Sequence, residues 1–179
     1  HKRAYDGNQG PNTGGMGAFC PSPKYTPEIA ERCMKEIFQP TVEALKAEGR
    51  PFKGVIYFGL MLTESGPRVV EYNARFGDPE TQPILSMLDT DLMDIFQACV
   101  DGTLDQVDIK WKSGAACCLV LASGGYPVSY KSGYPISGLA EAEALGATVF
   151  HAGTKKDEQG NILTAGGRVL GVTATAPSL

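Results

Sequence analysis

"VVEYNARFGDPETQ", residues 69–82, begins as an apolar strand and ends as a run of charges. Along a strand Val70, Tyr72 and Ala74 face one way, and Glu71, Asn73 and Arg75 face the other. A carboxylate, an amide and a guanidinium in one row are not the composition of a buried sheet face. One reading is a solvated row whose Glu–Arg pair contributes little. The other is a metal–phosphate site. Magnesium takes oxygen ligands, one or two of them from protein and the rest from phosphate and water. Glu71 and Asn73 offer two oxygens on one face, and Arg75 adds a planar donor fork suited to phosphate. The flank favours this second reading. Gly77 makes a turn, and Asp78 and Glu80 lie where a helix is expected to begin at Pro79, so the row sits at a strand-to-helix passage.

Working outward, "FKGVIYFGLMLTESGPRVVEYNAR" reads as an antiparallel hairpin around a Glu-Ser-Gly-Pro turn. Before it, "TPEIAERCMKEIFQPTVEALKAEG" has the marks of a helix: Thr26 as N-cap, Pro27 in the first turn, apolar residues at helical spacing and Gly49 as terminator. Pro40 in its middle predicts a kink or a split. After the hairpin come helical patterns in "PETQPILSML" and "TDLMDIFQACVDG", the latter with Thr90 as N-cap and Gly102 past its end. Residues 1–25, rich in glycine and proline, read as loop. From about residue 112 the texture changes to short apolar runs punctuated by glycine, with "AEAEALG" as one short helix. The expected organisation is α+β, with one domain over 1–112 and a small, mostly β domain over 113–179.

The 179 residues carry a formal net charge of −4, which gives no basic footprint for nucleic acid. No run approaches the length of a membrane helix and no signal peptide opens the chain. The five cysteines are odd in number and lack metal-ligand spacing, so reduced, buried thiols in a cytoplasmic protein are expected. The chain opens on His1 rather than methionine and stops after a strand-like run, which reads as a piece of a longer protein.

Other candidates are less specific. "GPNTGGMG" carries Asn12, Thr13, Gly14, Gly15, Met16 and Gly17. Its paired glycines suit either a flexible turn or backbone N–H groups that wrap an anion or hinge over a substrate. His1, Lys2 and Arg3 form a basic run that faces phosphate or solvent. His151, in "VFHAG", reads as a core or edge histidine, and "SGGYP" and "AGGRV" as β-turns, with a ligand contact the alternative for Arg168. There is no G-x-x-x-x-G-K-[ST] loop, and no Ser or Cys nucleophile with a histidine base is indicated.

In order along the chain, "HKRAYDGNQGPNTGGMGAFCP", "YFGLML", "VVEYNARFGDPETQP", "VFHAGT" and "GGRVLGVTA" resemble the phosphoribosylamine–glycine ligases (glycinamide ribonucleotide synthetases) of the ATP-grasp superfamily. "RFGDPE" and "GPNTGGMGA" separate this family from ATP-grasp enzymes at large. The resemblance implies the C-terminal lobe of an ATP-grasp fold, with antiparallel strands and packed helices, followed by the small β-rich domain. It implies ATP-dependent joining of glycine to 5-phosphoribosylamine through a glycyl phosphate, in purine biosynthesis, with ATP and Mg²⁺ or Mn²⁺ as cofactors. Glu71 and Asn73 fall on metal-binding positions and Arg75 on the catalytic arginine. His1, Lys2 and Asn12 to Gly17 match the substrate-side loop, and Gly77 and Asp78 the substrate- and phosphate-binding turn. Met61 lies where an apolar residue packs near the nucleotide base. Gly59 stands near where many ATP-grasp enzymes carry a further carboxylate, which leaves coordination to Glu71 and Asn73.

The same resemblance implies that an N-terminal half, with the front lobe and its lysines, precedes His1 in the intact enzyme. This chain alone is therefore expected to be inactive, and the missing half to be its partner. Another ATP-grasp carboxylate–amine ligase, or a non-catalytic module of the same fold, remain the alternatives.

Overall fold

A computed structural model describes all 179 residues, His1–Leu179. In chain order the elements are β1 (Arg3–Tyr5), β2 (Gln9–Asn12), β3 (Gly17–Cys20), α1 (Pro27–Cys33), α2 (Gln39–Ala47), β4 (Tyr57–Thr63), β5 (Gly66–Asn73), α3 (Thr81–Met87), α4 (Leu92–Asp101), β6 (Ala115–Ala122), α5 (Leu139–Ala144), β7 (Thr148–His151), β8 (Thr154–Lys156), β9 (Ile162–Thr164) and β10 (Arg168–Ala176). They fall into two compact units. One comprises His1–Cys20, Asp78–Met87 and Lys112–Leu179, and the other Pro21–Gly77 and Leu88–Trp111. The stretch "RFGDPE" is thus divided, its first half in one unit and its second half in the other.

In the unit containing Pro21–Gly77, Thr26 Oγ1 accepts a hydrogen bond from the Ile29 N–H at 3.4 Å and caps α1, with Pro27 in the first turn. The helical run divides just before Pro40, as expected, with Pro40 in the first turn of α2. A π turn, Met34–Phe38, joins α1 to α2, and the Gln39 N–H reaches back five residues to Met34 O. Proline cannot supply the amide that would close the next regular turn, and one wide turn takes up the irregularity. The run ends with Gly49 left-handed, φ 71°, while the Arg50 N–H bonds Leu45 O and the Gly49 N–H bonds Lys46 O, a Schellman ending.

Strands β4 and β5 pair as the expected antiparallel hairpin, with Glu64 and Ser65 at its tip and a register shift between Gly59 and Leu60. The Tyr72 face of the hairpin carries aromatic packing: Phe58 lies 4.4 Å from Phe38 of the helical run and 5.4 Å from Tyr72, centroid to centroid. Cys33 and Ile37 anchor the helical side of this core. For α4 the cap is Asp91, whose carboxylate accepts from the Met93 N–H at 2.8 Å, rather than Thr90. Thr90 Oγ1 instead accepts from the Lys110 N–H at 2.7 Å, a partner twenty residues away that competes for the hydroxyl. Gly102 ends α4 in the left-handed conformation, as expected.

The other unit is built on a four-stranded antiparallel sheet in the order β3-β6-β10-β7. Along β6, Ala116, Cys118 and Val120 are buried while Cys117, Leu119 and Leu121 are exposed, the period of two of a half-covered strand. Helix α3 packs on β6, β10 and β3, with Pro83 and Met87 buried. Two expectations change here. Residues 1–25 are not wholly loop: β1 and β2 form a hairpin, and Gly17–Cys20 is an edge strand of the main sheet. Their glycines make tight turns, and the partner of β3 lies about a hundred residues away in sequence, beyond any local pattern. Helix α3 starts at Thr81, two residues after Pro79, because Asp78, Pro79 and Glu80 form a turn with a cis Asp78–Pro79 bond. The five cysteines are free; Cys33 and Cys118 are buried and Cys117 is exposed.

Candidate active-site residues

The strand row comes first. Glu71 and Asn73 are half-buried, while Val70 and Tyr72 on the opposite face are 63% and 54% exposed, so the polar row is the more covered one. Glu71 stands opposite Gly59 in the ladder. A Cβ at Gly59 would lie 2.7 Å from Glu71 Cγ, so the missing side chain is the space that the Glu71 side chain crosses. Arg75 bends back along its own strand end: Nη2 donates to Asn73 Oδ1 at 3.3 Å and Nη1 to Phe76 O at 2.9 Å. Asn73 therefore presents its amide oxygen, not its NH₂, toward the guanidinium.

These donors suit a divalent cation of the hard kind. No cluster of three or more His, Cys, Asp or Glu side chains is set to hold a metal. Two oxygen donors two residues apart on one face match the partial shell that Mg²⁺ takes from protein, and the Gly59 gap leaves room for the carboxylate to move toward it. Met61 lies on β4 opposite Arg68 with 56% of its surface exposed.

The glycine loop lies in the other unit, and its amides are engaged. The Thr13 N–H donates to Lys2 O at 2.7 Å, and the Met16 N–H to His1 O at 2.8 Å. The Gly14 N–H donates to Tyr126 Oη at 3.0 Å and the Gly15 N–H to Thr13 Oγ1 at 3.1 Å. The sequence suggested free N–H groups around an anion; in the fold the side chain of Tyr126 and the carbonyls of the HKR segment already satisfy them. Gly17 continues into β3 opposite Leu119. His1 stacks toward Phe19 at 5.8 Å, and His1 and Lys2 line a cavity of about 470 Å³ with Asp6, Asn8 and Cys117. Asn12 ends β2 opposite Arg3, whose Nη1 donates to Gly10 O at 2.7 Å. Gly77 is buried.

Asp78 meets Arg168, which the sequence offered as part of a turn or as a ligand contact and which here binds protein. Arg168 Nη2 donates to Asp78 Oδ2 at 2.9 Å, and Nη1 donates to Asp78 O at 3.0 Å, Gly14 O at 2.9 Å and Gly15 O at 3.3 Å. The second Asp78 oxygen accepts from Gln82 Nε2 at 3.1 Å. His151 stands at the end of edge strand β7, exposed, with Nδ1 3.0 Å from Thr154 Oγ1. The "SGGYP" and "AGGRV" turns pack together: Ser123 Oγ donates to Gly166 O at 2.8 Å, and Gly167 lies under the Tyr126 ring, where a Cβ would clash. A cation before an apolar strand was the only local sign of Arg168; its four acceptors come from segments 90 and more residues upstream.

The α+β fold is that of an ATP-grasp lobe. The family model "Phosphoribosylglycinamide synthetase, ATP-grasp (A) domain" matches residues 1–81, and "Phosphoribosylglycinamide synthetase, C domain" matches residues 116–179. The chain belongs to the phosphoribosylglycinamide synthetase family. Among curated relatives, the phosphoribosylamine–glycine ligase of Vibrio parahaemolyticus is 52% identical over 180 residues, covering 100% of this chain and 42% of the relative. That of Synechocystis is 52% identical over 181 residues, covering 100% and 43%. The crystal structure of the Thermotoga maritima phosphoribosylamine–glycine ligase superposes with a TM-score of 0.85 at 34% identity, covering 99% of this chain and 43% of that one. The Kluyveromyces lactis urea amidolyase structure, at 13% identity and TM-score 0.59, shares the fold. This chain therefore spans about two fifths of the length of the curated relatives it matches.

Proposed function

We propose that this chain is the part of an ATP-dependent ligase, joining glycine to 5-phosphoribosylamine, that carries the metal–phosphate strand and the substrate-side loop. The observation that carries this reading is the half-buried Glu71–Asn73 row, with the space beside it left by Gly59 and with Arg75 at its end. Glu71 and Asn73 would hold the magnesium, which neutralises triphosphate charge when bound. Arg75, held beside Asn73 and Phe76 O, would donate its fork to a phosphoryl oxygen. Activating glycine's carboxylate as an acyl phosphate brings two anions together, and a fixed cation offsets their repulsion where water is excluded. The amine of phosphoribosylamine then displaces phosphate, so no protein nucleophile is required.

On this reading His1, Lys2, Asn12, Thr13 and Met16 act through side chains and loop shape, since the amides at 13–16 already have partners. Gly77 and Asp78 form the turn on the phosphate side, and Met61 offers apolar surface toward the base. The remaining length of the ligase supplies the partner half, and the cytoplasm its location. The chain by itself is inactive and binds ATP weakly. Glu71→Gln in the full-length protein tests the assignment. It keeps shape and removes charge, and turnover is expected to fall by roughly 100-fold with a raised metal requirement. Near wild-type, metal-dependent turnover would overturn the metal assignment.

A further inference from the structure

The side chain of Arg168 bridges three segments of its unit: the glycine loop, the Asp78–Pro79 turn and the start of β10. Its side chain is only 22% exposed, whereas Asp78 is 56% exposed, so the pair is not a free surface bridge. The loop is also shaped around it. A Cβ at Gly14 would come within 3.0 to 3.2 Å of three guanidinium atoms, and a Cβ at Gly15 would meet Pro79 Cδ at 2.5 Å. Gly15 has φ 116°, a conformation that side chains disfavour. Tyr126 also holds the loop, through the Gly14 N–H. Beside this node a cavity of about 210 Å³ is lined by Asp78, Gln82, His151, Arg168 and Gly171 among others.

We infer that Arg168 is a positioning residue of the ligase reaction, acting through Gly14, Gly15 and Asp78 to keep the substrate-side loop in the shape that receives the amine. The inference rests on the ligase reading above. Arg168 lies in the segment matched by the C-domain model, whereas its acceptors lie in the ATP-grasp segment, so the C-terminal sheet sets the loop's position. The physical reason is geometric. A guanidinium presents several coplanar donors and can serve two loop carbonyls, a turn carbonyl and a carboxylate at once. An ammonium has a single nitrogen and cannot span the same acceptors. When the loop is loosened, the amine is held less well and the waiting acyl phosphate is lost to water, which returns glycine and phosphate, so that ATP is converted to ADP without amide formation.

Arg168→Lys and Arg168→Ala in the full-length protein test this, with ADP and amide product measured separately and thermal unfolding recorded. Arg168→Lys is expected to raise the ADP-to-product ratio from one to about three or more, and KM for the amine by roughly tenfold, with KM for ATP within about twofold. A merely structural role would lower both products in parallel at a ratio of one, and that result overturns the inference even if Arg168→Ala fails to fold. Wild-type protein that releases no amine-dependent ADP with glycine overturns the ligase reading itself, and the assignment of Arg168 with it.

Discussion

Replacing Gly59 by alanine separates stability from metal-dependent function. In the hairpin Gly59 pairs with Glu71, and the added Cβ would lie 2.7 Å from Glu71 Cγ and 3.5 Å from its carbonyl and carboxylate oxygens. A carbon–carbon approach of 2.7 Å is well inside van der Waals contact, so the side chain of Glu71 must rotate away. The backbone at Gly59 is not left-handed, and alanine gains about 0.5–1 kcal/mol over glycine in a strand. Overpacking costs about 1–3 kcal/mol when the neighbour cannot move. Glu71 is half-buried and has a partner to give up, so displacing it costs near the low end of that range, the two effects nearly offset, and the melting temperature should change by only a few degrees. The carboxylate, however, leaves the Asn73 face. The metal concentration giving half-maximal turnover in the full-length protein should rise by roughly tenfold or more. Metal titration of ADP release, beside a thermal melt of the same preparation, reads both quantities. Unchanged metal dependence with an unchanged melt would refute the reasoning that Gly59 makes room for a metal-binding Glu71.

Two smaller predictions concern local structure. Asp91→Ala removes the α4 cap and should cost about 1 kcal/mol by denaturant titration, whereas Thr90→Ala should loosen the Lys110 segment without fraying α4, as amide exchange of Met93 would show. A brief alkylation at pH 8 followed by fragment mass analysis should modify exposed Cys117 before Cys118, because burial covers the Cys118 thiol and pushes its pKa up.

The hairpin, its turn and the Glu71–Asn73–Arg75 row were legible in the sequence because they depend on a period of two and on a two-residue turn, both local signals. The same holds for the Thr26 cap and the Gly49 and Gly102 endings, where one residue's chemistry decides the geometry. The cap at Asp91 was misplaced by one residue because Thr90 is recruited by Lys110, a tertiary partner. Gly14 and Gly15 were read as a flexible turn or an anion-wrapping loop, but their amides have partners in Tyr126 Oη and Thr13 Oγ1, the former 112 residues away.

By itself, then, the sequence determined the local elements, the donor chemistry of the strand row and the family likeness, since each resides in residues adjacent along the chain. Only the tertiary structure decided that β3 joins β6, that Gly59 makes space for Glu71, and that Arg168 ties the glycine loop to Asp78. These are pairings between residues from 12 to 154 positions apart, fixed by sheet register and side-chain reach, and no short-range pattern encodes either.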